Sequence, residues 1–255
     1  MEALGTPAAS GPFLCGPARG KCGSTRLPFA GLLRWRRRGA TVLVALALGA
    51  TLKPSAGALD VNRLQQSAVA LGPRAERAAT ELRELVVDIG RIADTDRLER
   101  VNRFVNRRVN FASDAEVWKE NDYWASPLET LGKGEGDCED YAITKFFTLL
   151  AGGMPASKLR LVYVRAQLPA SPGQPGGPQA HMVLAYYADN ATEPLILDNL
   201  MPEIKPASSR PDLTPIFSFN SEGLWNGAGP QTVGDPQARL SRWRDLMRKA
   251  RAEGF

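Results

Sequence analysis

Gly136-Asp137-Cys138-Glu139-Asp140-Tyr141-Ala142-Ile143-Thr144-Lys145-Phe146-Phe147-Thr148-Leu149-Leu150 is the stretch that orders the rest of the chain. It follows a turn-rich segment holding Pro127, Gly132, Gly134 and Gly136, and it ends at Gly152-Gly153. Apolar side chains fill too much of it for a single helix face, so it predicts a buried helix that starts near Cys138. The glycines ahead of it allow the backbone to approach closely.

On the N-terminal side the apolar period is helical. From Asp60 to about Val117, Leu82, Leu85, Val86, Ile89 and Ile92 recur at three- and four-residue spacing, as do Leu98, Val101, Phe104, Val105 and Val109 after an Asp94-Thr95-Asp96 start signal. On the C-terminal side, Leu159 to Val164, Met182 to Tyr187 and Pro194 to Leu197 read as short strands. Ser171–Pro178 is rich in Pro and Gly and predicts a flexible loop. A last amphipathic helix is expected from about Pro236 to Arg251. A helical front followed by a small, antiparallel sheet defines an α+β class.

The first 58 residues read differently. Arg34, Arg36, Arg37 and Arg38 precede an apolar run from Ala40 to Leu52 and a small-residue segment, Ser55-Ala56-Gly57-Ala58. A basic segment, a short apolar segment and an A-x-A site describe a secretory signal peptide, here with a long basic n-region; an uncleaved anchor is the alternative. The apolar run falls short of the ~20 residues that span a bilayer. Residues 1–58 are therefore expected to be a leader, and 59–255 the mature domain, with no membrane span of its own and a location in the periplasm.

This division changes the charge reading. The leader holds eight of the 32 basic and one of the 27 acidic residues, which leaves 24 against 26 and a net charge of −2. The basic balance of the whole chain is thus no sign of nucleic-acid binding. Cys15 and Cys22 also lie in the leader, so Cys138 is the single cysteine of the mature part, a thiol worth flagging as reactive in an oxidising compartment.

A helix N-terminus favours thiolate, which makes Cys138 a candidate nucleophile; a buried structural cysteine is the alternative. Asp137, Glu139 and Asp140 oppose the thiolate unless a cation neutralises them. They point either to a calcium site or to helix capping. His181, the chain's one histidine, opens the run His181-Met182-Val183-Leu184-Ala185-Tyr186-Tyr187, and Asp198 closes Leu195-Ile196-Leu197-Asp198. Turn chemistry in Ala188–Glu193 makes the two runs a hairpin, with positions near 181 and 198–200 opposite one another. Asp198 then holds one imidazole nitrogen and leaves the other for the thiol. Trp124 is expected in the core or beside the cleft, Trp225 in a loop as packing or partner contact, and Asn199 in support of Asp198 or of the turn. The oxyanion donors would be the Cys138 N–H and a second group without an assignment.

Trp124-x-x-Pro127-x-Glu129, Gly136-Asp137-Cys138-Glu139-Asp140-Tyr141-Ala142, Ala180-His181-Met182-Val183-Leu184 and Leu197-Asp198-Asn199 follow one another in the order of a known family. Arg210-Pro211-Asp212-Leu213 and Phe219-Asn220 extend the match. The chain resembles the bacterial transglutaminase-like cysteine proteinases, the LapG-type periplasmic proteases, from about Val101 to Trp225. The resemblance implies a papain/transglutaminase-like fold with a helical and a β lobe. It implies Cys138 as nucleophile, His181 as general base and acid, Asp198 as orienting residue, and calcium held by Asp137, Glu139 and Asp140. It also implies, as substrate, a very large surface adhesin cut near its N-terminus at an Ala-Ala site to release cells from a biofilm. An inner-membrane cyclic-di-GMP receptor would sequester the enzyme. Triad geometry by itself leaves open a transglutaminase or amidase using the same acyl-enzyme, and a non-catalytic peptide-binding module.

Overall fold

A computed structural model describes residues 59–170, 176–189 and 193–255. The leader with its boundary after residue 58, residues 171–175 of the expected loop and residues 190–192 of the expected turn lie outside the described residues. Among the described residues no helix is long and apolar enough to cross a membrane.

Three helices lead: α1 (Val61–Leu71), α2 (Pro73–Ile89) and α3 (Asp94–Arg108). Asp60 caps α1 by accepting from the N–H groups of Asn62 and Arg63. Gly72, at φ +99°, makes the turn into α2, whose first residue is proline. Acids in the first turn of α3 and Arg107 and Arg108 in its last complement the helix dipole. The helical front does not run unbroken to Val117: β1 (Asn110–Phe111) interrupts it before α4 (Asp114–Val117). Ser113 and Glu116 form a capping box that starts α4 afresh. A second box, Ser126 and Glu129, starts α5 (Pro127–Lys133). Gly134 ends it at φ +68°, and β2 (Glu135–Gly136) pairs parallel with β1.

The expected buried helix is α6 (Cys138–Ala151). It packs against α2, α3 and α5 on one side and the sheet on the other, which explains why it is apolar nearly all round. The sheet has seven strands: β3 (Leu159–Leu168), β4 (Gly177–Tyr186), β5 (Leu195–Leu197), β6 (Lys205–Pro206), β7 (Leu213–Phe219), β8 (Leu224–Asn226) and β9 (Thr232–Gly234). They lie antiparallel in the order β6-β5-β4-β3-β7-β8-β9. Two strands run past the apolar stretches that mark them: Arg165 pairs with Ala180 and Gln167 with Pro178, because backbone ladders do not require apolar side chains.

Both faces of the sheet's centre are covered. Leu161, Met182, Leu184, Leu197 and Phe219 join the main core with α6, while Val162, Val164, Val183, Ala185 and Ile196 form a smaller cluster on the other side. A strand buried on both faces has no reason to alternate, and the run from Met182 to Tyr186 does not. The expected last helix is two, α7 (Pro236–Arg239) and α8 (Ser241–Glu253), because Leu240 takes extended backbone and packs against the core between them. α8 delivers Trp243, whose ring meets Phe146 at 5.8 Å and Phe219 at 5.2 Å, both edge-on. Trp124 is in the core, stacked on Phe219 at 5.6 Å. Trp225 is not in a loop: it lies buried in β8 beneath the Arg160 guanidinium, 3.8 Å from its ring centre.

Candidate active site

The start of α6 places the thiol. Asp137 is the helix cap, accepting from the Glu139 N–H at 3.2 Å, so Cys138 is the first helical residue. Its half-buried thiol donates to Glu139 Oε2 at 2.7 Å, and the backbone of Met182 on β4 lies near enough to lower the thiol's pKa, against the larger effects that raise it. The structure thus brings Cys138 against the residue next to His181; the hydrogen bond the sulfur makes is to Glu139. Burial, then the charges of Glu139 and Asp137, push the thiol far above its usual range. Against these acids the N-terminus of α6 is too weak to favour thiolate, since a helix end contributes about 0.3–1 kcal/mol.

The acids flanking Cys138 separate into two groups. Asp137 and Asp140 come together with Asp114 of α4, with carboxylate oxygens within 4.8 Å of one another, whereas Glu139 turns toward the sulfur and Asp137. Asp114 is the residue that sequence spacing missed. Parallel pairing of Asn110 with Glu135 and Phe111 with Gly136 ties α4 to the front of α6, a contact over more than twenty residues that no local pattern announces. Gly136 permits the approach: a Cβ there would lie 2.7 Å from Asp140 Oδ2 and 2.8 Å from Asp140 Cβ.

Crowding leaves these carboxylates frustrated. Burial, then Glu139 and Asp140, raise Asp137 to about 9, and burial with Asp114 and Glu139 raises Asp140 to about 8 despite the Ala125 N–H bound to it. Asp114 is raised as well, chiefly by burial. Asp140 Oδ2 and Asp114 Oδ1 are buried without a hydrogen-bond partner. Unpaired oxygens of several close carboxylates suit a hard cation, which takes six to eight oxygens. Asp114, Asp137 and Asp140, with Glu139 at the sulfur side, fit calcium.

The histidine end is the opposite. His181 Nε2 bonds Asp198 Oδ1 at 2.8 Å, which leaves Nδ1 out of that contact. Paired register between β4 and β5 ends at Leu184 and Leu197, and Asp198 follows at once. Asp198 also accepts from the Leu200 N–H at 3.0 Å and from Arg210 Nη2 at 2.7 Å, while its own carbonyl accepts from Asn106 Nδ2 of α3 at 2.9 Å. Burial alone would raise this carboxyl, but bonds from His181 and Arg210 outweigh it and hold it at about 2. Arg210 stands in a motif the sequence singled out without assigning it a task. Asn199 Oδ1 is buried without a partner beside this network.

Three elements thus deliver a thiol at a helix start, an imidazole in the middle of β4 and an ionised acid after β5. That set supports nucleophilic acyl transfer. A family model described as bacterial transglutaminase-like cysteine proteinase matches residues 79–212. Solved structures of Legionella pneumophila LapG match along most of the chain. An EGTA-treated form is 37% identical, covering 76% of this chain and 98% of that one at a TM-score of 0.64. A calcium-bound form is 37% identical, covering 74% and 98% at a TM-score of 0.62. No curated protein matches.

Proposed function

The chain belongs to the bacterial transglutaminase-like cysteine proteinase family and is a cysteine protease, and from that premise we propose that Cys138, His181 and Asp198 are its catalytic triad. The observation that carries this reading is the His181–Asp198 bond of 2.8 Å, made through Nε2, with the backbone of the neighbouring Met182 near enough to the Cys138 thiol to lower its pKa. Nδ1 is the nitrogen left to take the thiol proton. The sulfur then attacks the scissile carbonyl carbon, and His181 returns the proton to the departing amine. A water, deprotonated at the same nitrogen, attacks the thioester and restores the thiol. Family membership favours this hydrolysis over the transglutaminase, amidase and binding-module alternatives.

Calcium belongs to the same reading. Asp114, Asp137 and Asp140 would hold it, with Glu139 at its edge; the calcium-bound and EGTA-treated LapG structures support the choice of ion. A bound calcium ion supplies the positive charge that offsets these carboxylates and makes the thiolate accessible. We further assign the enzyme to the periplasm, exported by its leader, with the N-terminal region of a large surface adhesin as substrate and an inner-membrane cyclic-di-GMP receptor as inhibitor. The leader pattern and the ordered family motifs support this. Incubation with an adhesin N-terminal fragment carrying an Ala-Ala site tests it: cleavage is expected with calcium, lost in EGTA and restored by added calcium. Cleavage that survives in Cys138→Ala would defeat it.

A further inference from the structure

Each oxygen of the Asp198 carboxylate has its own charged or ionisable neighbour. His181 Nε2 takes Oδ1 at 2.8 Å and Arg210 Nη2 takes Oδ2 at 2.7 Å. Arg210 is 3% exposed and Asp198 1%, so the contact is shielded from water, where charges act on one another most strongly. Arg210 is held in turn from its outer side: Asp212 Oδ1 accepts from Nε at 3.0 Å and Asp212 Oδ2 from Nη2 at 2.8 Å. Asp212 is 34% exposed, so a line of alternating charge runs from the surface inward through Arg210 and Asp198 to His181.

This line has two physical consequences. A buried carboxylate facing only a neutral imidazole tends to take up a proton or turn away, and a guanidinium on its other oxygen prevents both. The same guanidinium draws on the carboxylate's charge and so weakens its hold on an imidazolium. Asp212 works against that draw by occupying Arg210. Lys145 of α6 also acts on Asp198, though burial lowers it to about 7, and Glu139 faces the Cys138 sulfur rather than this network. From α3 only a neutral amide, Asn106, touches Asp198.

We propose that Arg210 is a positioning residue of the triad: braced by Asp212, it holds Asp198 as an oriented carboxylate against His181. The inference rests on the reading of Cys138, His181 and Asp198 as catalytic. Its test is steady-state cleavage of an adhesin N-terminal fragment carrying an Ala-Ala site by the full chain, in saturating calcium. Thermal melts run alongside. Arg210→Met is expected to lower kcat by about 10–100-fold while KM stays near that of the wild type. Arg210→Lys keeps the charge and is expected to recover most of kcat. Asp212→Asn loosens Arg210 and is expected to lower kcat by a smaller factor, again with KM near that of the wild type. An unchanged kcat in Arg210→Met, a change in KM alone, or an Arg210→Lys variant that melts like the wild type and recovers no kcat overturns the proposal. If Arg210→Met does not fold, the kcat loss in Asp212→Asn decides, and its absence overturns the proposal equally. A wild-type chain that leaves the fragment uncut would instead defeat the catalytic reading itself, without reference to any variant.

Discussion

Two acidic regions, one beside Cys138 and one beside His181, are built on opposite principles. Around Asp198 every carboxylate oxygen has a donor, and the group sits at about 2, ionised under all ordinary conditions. Around Asp137 and Asp140, carboxylates face carboxylates, two oxygens are orphaned, and the groups rise to about 9 and 8. The chain completes the first region from its own residues. The second leaves like charges unopposed among its own residues, an arrangement that suits a small cation.

The sharpest way to break the contrast is to remove the self-sufficient half. His181→Ala is expected to lower kcat/KM on an adhesin fragment by about four orders of magnitude in saturating calcium, while the calcium needed for stabilisation stays unchanged. A changed calcium requirement for stabilisation in that variant would mean that the two regions are not separate. Next in size, Asp114→Asn and Asp140→Asn should raise the calcium concentration for half-maximal activity by roughly 10–100-fold, with near-wild-type rates once calcium saturates. A titration in which Asp114→Asn matches wild type would remove Asp114 from the site.

Gly136→Ala probes the packing beneath the cluster. Its Cβ would press on Asp140, so a stability loss of about 1–3 kcal/mol is expected in urea melts, together with weaker calcium binding. The smallest effect concerns pH. Asp137 and Asp140 are raised in the folded state, so their contribution is present below about pH 4 and is lost as pH rises through 8 to 9 when no cation is bound. Asp198 has the reverse sign: its contribution holds above pH 4 and fades as pH falls toward 2. The thermal shift produced by calcium, measured against EGTA, should therefore grow by a few degrees between pH 5 and pH 8. A shift that is constant across that range would show that the carboxylates are ionised without the ion.

Local chemistry was the readable part. The limits of α6 follow from the cap at Asp137 and the stop at Gly152-Gly153, and the pairing of His181 with Asp198 follows from two apolar runs separated by turn residues. The α+β class and the family were legible for the same reason, since motif order survives along the chain. Strand ends and the break at Leu240 were not, because backbone pairing and core packing overrode the pattern of side chains there.

By itself, then, the sequence determined which residues carry reactive groups and which helix and strand present them. Tertiary structure alone decided their electrostatic company. It set Asp114 against Asp137 and Asp140 through the β1–β2 pairing, turned Glu139 toward the thiol, and drove Arg210 onto the far oxygen of Asp198. Caps and periodicities act within a few residues and can be read in order. Buried charges interact through space, and their partners are chosen by how the layers close over them.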